Sequence, residues 1–208
     1  MCLIFISLKQ HSHYPLIIAA NRDEFYARKT AAASYWQDHP DLIAGRDLEA
    51  GGTWMGVTKG GRISLLTNYR DLKNLKANAP SRGHLVSHYL ETNEKPEKYL
   101  KSVEAVAGQY NGFNLLAGTV DELWYYSNYD EGVRQLSPGF YGLSNHLLVS
   151  PWPKVRRGKE KLAPILARPE IKYDDLMDIL LDDVLALDNE LPDTGIGLER
   201  ERALSSMF

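Results

Sequence analysis

Cys2 is the only cysteine among the 208 residues, and it lies at the very start of the chain. Removal of Met1 would leave it with both a thiol and a free α-amine. Because an α-amine titrates at about 7.7–8.0 and a thiol at about 8.5, one residue could then supply base and nucleophile at neutral pH. A neighbouring cation would lower the thiol pKa further, and Arg22 is the candidate. The alternative is a small buried hydrophobic residue that opens a strand.

Two apolar runs follow Cys2, and the second leads into a dense polar cluster. The runs are Leu3–Leu8 and Leu16–Ala20, and the cluster is Asn21-Arg22-Asp23-Glu24. Continuous apolar runs of this length indicate core strands, so the pair predicts a hairpin over 2–8 and 15–20. The hairpin would place an Arg-Asp pair beside a cysteine, which is a nucleophile next to its activators.

Two further polar groups follow strand-like segments. Asn68 ends an apolar run, and its side-chain amide could donate to a developing oxyanion; the alternative is an asparagine that completes a turn. The segment Gly142-Leu143-Ser144-Asn145-His146 is the third polar cluster at a strand end. Gly51 and Gly52, after another Arg-Asp pair, predict a tight turn where the backbone approaches another segment closely.

The remaining pattern predicts hairpins, then helices, then hairpins, then helices. Strands are expected at 54–58, 62–68, 113–119, 122–127, 133–136 and 139–143, and helices at 81–91, 96–107, from Pro153 to about 163, and 173–187, with 28–40 irregular. Mostly antiparallel strands with segregated helices indicate an α+β layered fold, and the absence of a linker favours one domain over 1–208.

Charges on the last two predicted helices favour solvated faces over binding sites. Lys154 belongs to a basic run on the first of them, and Asp182-Asp183 lies on the second. His11 and His13 could bind a metal as a pair, but no third ligand is near in sequence, so a solvated loop is the preferred interpretation. We therefore predict no metal site and no cofactor.

Composition excludes several classes of protein. A net charge of −3 offers no electrostatic reason to expect nucleic acid as a partner. One cysteine cannot form an internal disulfide, which suits a reducing compartment. No apolar run approaches the roughly 20 residues of a membrane-spanning helix, and the N-terminus lacks the features of a secretory signal. We expect a cytoplasmic location.

Several motifs together resemble the NRDE-motif family, also called the transport and Golgi organisation 2 family. They occur in order along most of the chain: Met1-Cys2, Asn21-Arg22-Asp23-Glu24-Phe25, Ala44-Gly45-Arg46-Asp47, Gly51-Gly52-Thr53-Trp54-Met55-Gly56, Leu66-Thr67-Asn68-Tyr69-Arg70, Gly142-Leu143-Ser144-Asn145 and Pro151-Trp152-Pro153-Lys154. The family is similar to N-terminal nucleophile hydrolases that cleave linear amides. The resemblance therefore implies a four-layer αββα sandwich of mostly antiparallel sheets.

The same resemblance implies roles for individual residues. Cys2 would be the nucleophile, Arg22 and Asp23 would hold and activate it, and Asn145 would donate to the oxyanion. The substrate contacts would be Asn21, Trp54, Asn68 and Arg70. In the related hydrolases the arginine and the aspartate are usually two residues apart, whereas here they are adjacent. Adjacent strand residues point to opposite faces, so we do not expect both to address Cys2 from within one strand.

Two alternatives stay open. Family members usually continue with a further strand, similar to Tyr-Gly-Thr-Arg-Ser-Ser-Thr, that this chain ends before, so the fold is expected to lack its C-terminal strands if that segment is missing. Eukaryotic relatives have been linked to haem trafficking, lipid metabolism and secretory-pathway organisation, so the alternative to an amidase is a non-enzymatic binding or carrier protein for haem or another hydrophobic ligand. A haem ligand would then be Cys2, a histidine or a tyrosine.

Overall fold

The computed structural model describes residues 2–208, and the chain divides into two compact units. The first unit holds the described residues through Asp23, then Arg70–Asn74 and Ser137–Phe208. The second unit holds Glu24–Tyr69 and Leu75–Leu136. Each unit has its own antiparallel sheet and its own core. One domain over 1–208 stays a prediction.

Ten strands and five α-helices are formed by the described residues. The strands are β1 (Cys2–Leu8), β2 (Leu16–Arg22), β3 (Thr30–Tyr35), β4 (Leu42–Asp47), β5 (Met55–Thr58), β6 (Arg62–Asn68), β7 (Phe113–Thr119), β8 (Leu123–Ser127), β9 (Arg134–Gln135) and β10 (Gly139–Leu143). The helices are α1 (Gly83–Glu91), α2 (Pro96–Val106), α3 (Pro153–Leu166), α4 (Tyr173–Leu180) and α5 (Leu198–Ala203). Short 3-10 turns cover Ala107–Gln109 and Asp188–Glu190.

The sheet of the first unit has the strand order β10-β1-β2, with both pairings antiparallel. All seven residues of β1 are buried, as expected for a central strand made of a continuous apolar run. The register sets Cys2 opposite Arg22 and Ile4 opposite Leu143. The start of β1, the end of β2 and the end of β10 therefore lie together at one end of this sheet.

Helix α3 packs on this sheet through two close approaches that require glycine. A Cβ on Gly158 would lie 2.0 Å from Cζ of Phe5, and one on Gly142 would lie 2.6 Å from Cγ1 of Val155. Pro153 occupies the first turn of the helix, where its missing N–H is not needed. These contacts hold α3 against Phe5 of β1 and Gly142 of β10, which are paired with each other in the sheet.

The sheet of the second unit has seven strands in the order β3-β4-β5-β6-β7-β8-β9. Its apolar core lies against α1 and α2 and includes Leu85, Tyr89, Leu100 and Phe113. The turn predicted at Gly51 and Gly52 is confirmed: Gly51 has φ +81°, and a Cβ on Gly52 would lie 2.5 Å from the carbonyl carbon of Gly83. The glycines thus let this turn pass against the start of α1.

The predicted secondary structure is wrong at two places: strands β3 and β4 were not predicted, and one helix was predicted too long. Residues 30–35 form β3 inside the segment expected to be irregular, because pairing with β4 stabilises a run of alanine and serine that lacks alternating polarity. The helix expected over 173–187 ends at Leu180. Beyond it the Asp182 carboxylate accepts the N–H of Val184 at 2.9 Å, and the Asp182 carbonyl accepts the N–H groups of Met207 and Phe208.

Two charges expected on solvated faces are buried instead. Asp182 is 7% exposed and forms ion pairs with Arg157 and Lys161 of α3. Lys154 is 2% exposed. Helical periodicity alone cannot distinguish a solvated charge from one that a neighbouring element covers, which is why the sequence interpretation failed at these positions.

The α+β class with antiparallel sheets is confirmed by this architecture. Among residues 2–208, every helix is too short or too polar to span a bilayer.

Candidate functional site

Cys2 and Arg22 are directly opposite each other on β1 and β2. Directly opposed residues of an antiparallel pair place their side chains on the same face of the sheet, so the guanidinium lies on the face of the thiol. Cys2 is 8% exposed. Strand β2 ends at Arg22, so Asp23 lies beyond the strand and its direction is not restricted by strand alternation.

Ser144 and Asn145 follow β10 and bind the main chain of Cys2 from both sides. The N–H of Cys2 donates to Oδ1 of Asn145 at 3.4 Å, and Oγ of Ser144 donates to the carbonyl oxygen of Cys2 at 3.0 Å. Both residues are buried. With Oδ1 turned toward the Cys2 N–H, the other end of the Asn145 amide is a hydrogen-bond donor close to Cys2.

Arg70 supports Asn145 from the next segment. Its N–H donates to the carbonyl oxygen of Asn145 at 2.7 Å, and its guanidinium binds Glu201 at 2.6 Å and lies 4.7 Å from the ring centroid of Trp152. The side chains of the ion pair are only 7% and 4% exposed. Burial lowers the pKa of Arg70, and the Glu201 carboxylate acts in the opposite direction. Glu201 also accepts from the N–H of Thr194 at 2.8 Å.

Lys154 is a residue of this site to which the sequence analysis assigned no role. Burial is the main cause that lowers its pKa to about 8; the charge of Arg70 acts in the same direction, and the negative charges of Asp23 and Cys2 act against it. The sequence signal was present, because Lys154 closes the Pro-Trp-Pro-Lys motif. What the motif could not show is that the first turn of α3 lies at the Cys2 end of the sheet.

His146 also belongs to the polar edge after β10. Its Nδ1 is 2.7 Å from Oγ of Ser150, and its ring is 5.7 Å from that of Trp152. Burial, and then the positive charge of Arg70, lowers the pKa of His146. Both effects favour the neutral form of the imidazole.

The other predicted substrate contacts have different surroundings. The side-chain amide of Asn21 donates to the carbonyl oxygens of Leu180 and Met207 at 2.6 and 2.8 Å. Trp54 and Asn68 belong to the second unit: Trp54 is half-buried just before β5, and Asn68 is an exposed residue at the end of β6. Roles in substrate binding for these three residues stay predictions.

Residues 2–208 contain no group of three or more histidine, cysteine or acidic side chains placed to hold a metal ion. His11 is buried rather than solvated, which corrects the expectation for this loop. Its Nε2 bonds to the carbonyl oxygen of Arg168 at 2.8 Å, and its Nδ1 accepts the N–H groups of His13 and Tyr14. The ring therefore ties the β1–β2 loop to the end of α3.

The profile of the Transport and Golgi organisation 2 family matches residues 1–208. The chain belongs to this family. It is 38% identical over 210 residues to the Transport and Golgi organization 2 homolog of Mus musculus, covering 94% of this chain and 76% of the relative. Identity to the Homo sapiens homolog is 39% with the same coverage, and identity to the Drosophila melanogaster protein is 31%, covering 80% and 65%.

The fold is similar to a solved structure of an N-acylethanolamine-hydrolyzing acid amidase ortholog from Caenorhabditis elegans. The TM-score is 0.60, and the match covers 86% of each chain at 11% sequence identity. The expected N-terminal nucleophile hydrolase-like fold is thereby confirmed. At this identity the likeness concerns the fold alone.

Proposed function

We propose that this protein is a cysteine amidohydrolase that cleaves a linear amide through an acyl-enzyme. The observation that carries the proposal is the position of Cys2, held between Arg22 on the neighbouring strand and Asn145 after β10. The hydrolase-like fold supports it, because such a constellation recurs in enzymes that form covalent acyl intermediates.

Each group at the sheet edge has a role in acyl transfer. The Cys2 thiolate, stabilised by the charge of Arg22, attacks the amide carbonyl carbon, and the C=O electron pair moves onto the oxygen. The Asn145 amide donates to this oxyanion. Collapse of the intermediate breaks the C–N bond, the amine leaves with the proton that the Cys2 thiol lost, and a thioester remains on Cys2. Water then hydrolyses the thioester and restores the thiol.

N-acyl amides are the substrate class to screen. The solved structure with the similar fold is described as an N-acylethanolamine-hydrolyzing acid amidase, and in this chain the apolar ring of Trp152 packs on Arg70, whose N–H binds the carbonyl of Asn145. A small-molecule amide is therefore the proposed partner.

Cytoplasmic location is proposed with it, from the single cysteine and the absence of a spanning helix in residues 2–208.

Replacement of Cys2 by alanine tests the proposal. Turnover of N-acyl substrates should disappear in Cys2→Ala while substrate affinity is retained, because the thiol makes the covalent step and not the binding. Ser7→Ala is the matched control, a small buried side chain on the same strand. It should keep turnover. Cleavage by Cys2→Ala at the wild-type rate would overturn the amidase assignment.

The same protein samples address the competing prediction of a haem or lipid carrier. A carrier that does not bind its ligand through sulfur would show no turnover in the wild type and equal affinity in Cys2→Ala. Haem titration followed by absorbance, and binding of a fluorescent fatty acid, measure this directly. Tight binding without turnover would replace the hydrolase with the carrier.

A further inference from the structure

Arg70 and Glu201 form an ion pair that is almost wholly removed from solvent. Nη1 of Arg70 lies 2.6 Å from Oε2 of Glu201, and the two side chains are only 7% and 4% exposed. Taking two charges out of water costs free energy that their attraction often fails to return, so well-packed apolar residues can fill such a space at equal or greater stability. Stability alone therefore does not explain the pair.

Both members of the pair are held in a fixed orientation by their neighbours. The second carboxylate oxygen of Glu201, Oε1, accepts the N–H of Thr194 at 2.8 Å and also its hydroxyl. The guanidinium carbon of Arg70 lies 4.7 Å from the ring centroid of Trp152, close enough for a cation–π interaction. Because the guanidinium is planar, a carboxylate at its edge and an indole ring near its carbon together restrict its orientation.

The residue held in this way is bound to the candidate oxyanion donor through its main chain. The N–H of Arg70 donates to the carbonyl oxygen of Asn145 at 2.7 Å, and Oδ1 of Asn145 accepts the N–H of Cys2 at 3.4 Å. Trp152 reaches the same segment, because its ring centroid lies 5.7 Å from that of His146. An unbroken series of contacts therefore connects the buried ion pair to the candidate nucleophile.

We propose that Arg70 and Glu201 are positioning residues, which hold Asn145 where its side-chain amide meets the oxyanion. The ion pair fixes the segment that starts at Arg70, and the N–H of this segment fixes the carbonyl of Asn145. The inference rests on the proposed acyl transfer for its purpose, whereas the restraint on Asn145 exists without a substrate. Arg70, predicted from the sequence as a substrate contact, would thus act inside the protein instead.

A double substitution distinguishes positioning from stability. Arg70→Met together with Glu201→Met removes both charges, so no uncompensated charge stays buried and the free energy of unfolding should remain close to that of the wild type. Methionine side chains are flexible and form no directional bond with each other, so the segment at position 70 should move more freely. We expect kcat on N-acyl amides to fall about 10- to 100-fold at unchanged KM, because a displaced oxyanion donor acts on the transition state and not on the bound substrate.

Hydrogen exchange measures the restraint itself and needs no substrate. The N–H of position 70 is the donor to Asn145, so its exchange with deuterated buffer, followed by NMR, reports how often this bond opens. In the double variant this exchange should accelerate about tenfold or more. Exchange at Phe5 and Ile6, in the paired centre of β1, should stay at the wild-type rate because the opening is local.

Asp188→Asn is the matched control, since it removes another ion pair of helix α5. Asp188 accepts from Nε and Nη2 of Arg202 at 2.8 and 2.7 Å, but these side chains are 51% and 42% exposed. The control should keep the wild-type kcat and the wild-type exchange rate at position 70. Glu201→Asp is a second test variant: it keeps both charges but shortens the carboxylate side chain by one methylene. Its kcat should fall and its exchange at position 70 should rise, and it decides the outcome if the double variant does not fold.

Contrary results have separate meanings. A folded variant that turns over substrate with the wild-type kcat would overturn the positioning role, and a raised KM at unchanged kcat would return Arg70 to substrate binding. Exchange that accelerates equally at position 70 and in the centre of β1 would show a purely structural pair and overturn the role as well. Absence of amide turnover in the wild type, with local exchange as expected, would instead remove the hydrolase and leave the restraint on Asn145.

Discussion

The N–H of Cys2 donates to Oδ1 of Asn145 at 3.4 Å, which joins residues 143 positions apart at the end of the first strand. Cys2 is thus held by its main chain as well as by its strand, and the amide of Asn145 is oriented by the nucleophile it would serve. A group fixed before the reaction stabilises developing charge without reorganising, which is the basis of an oxyanion hole.

Removal of the Asn145 amide should lower turnover more than it lowers stability. For Asn145→Ala we expect kcat on N-acyl substrates to fall about 10²–10³-fold, as for loss of one oxyanion donor. Asn145→Asp keeps the acceptor for the Cys2 N–H but replaces the donor with a negative charge. It should be at least as inactive, whereas a purely structural role would let it retain activity. Steady-state kinetics and thermal unfolding distinguish an effect on turnover from an effect on stability.

Lys154→Met should be at least as stable as the wild type at pH 7. The folded-state pKa of about 8 lies below the ordinary 10.5, so the unfolded chain binds more protons between these values. Wild-type stability therefore rises with pH in that window, and at pH 7 the buried charge costs on the order of 3 kcal/mol. Urea unfolding at pH 7 and pH 9.5 should show the advantage of Lys154→Met shrinking at the higher pH. A pH-independent difference would contradict this prediction.

Glu201→Gln should destabilise the protein and lower its activity together. The variant leaves the Arg70 guanidinium buried without its counter-charge, which costs about 3 kcal/mol. The N–H of Arg70 holds the carbonyl of Asn145, so loosening this segment should also lower kcat. Glu199→Gln, an exposed position on the same helix, serves as the control and should change stability by no more than about 0.5 kcal/mol. Equal stability of the two variants would argue against the ion pair.

Gly158→Ala should disturb the packing of α3 on β1 and destabilise the protein. The added methyl group would lie 2.0 Å from Cζ of Phe5, so helix or ring must move, at a cost of about 1–3 kcal/mol. Gly108→Ala meets no atom within 4 Å and should be neutral. Combining Gly158→Ala with Phe5→Leu should recover part of the loss. Chemical denaturation measures the free energy of unfolding of all three variants. If Phe5→Leu recovers none of the stability that Gly158→Ala loses, the contact with Phe5 is not the cause of the loss.

Most strands were predictable because their apolar runs are continuous and glycines or short polar segments separate them. The bounds of β1, β6, β7 and β10 agree with the sequence prediction residue for residue. β3 was missed since its alanines and serine carry no periodicity and its stability comes from β4. The helix ending at Leu180 was overextended, since its apolar spacing continues while Asp182 is drawn into contacts with α3.

For the candidate site as well, the sequence predicted which residues are involved but not how they are arranged. Residue types and their order pointed to Cys2 with Arg22 and Asp23 as candidate nucleophile and activators, and the family resemblance added Asn145. They could not show that the Arg22 register is directly opposite Cys2, which depends on hairpin pairing.

The sequence by itself determined the family and the α+β class, since local composition and ordered motifs are properties of the linear chain. Tertiary structure alone decided the state of the charges. Lys154 and Asp182 both lie in charged segments that read as solvated, yet packing of α3 on the sheet and against the chain beyond α4 buries both. Burial, and with it the pKa of Lys154, depends on contacts distant in sequence, which no local pattern specifies.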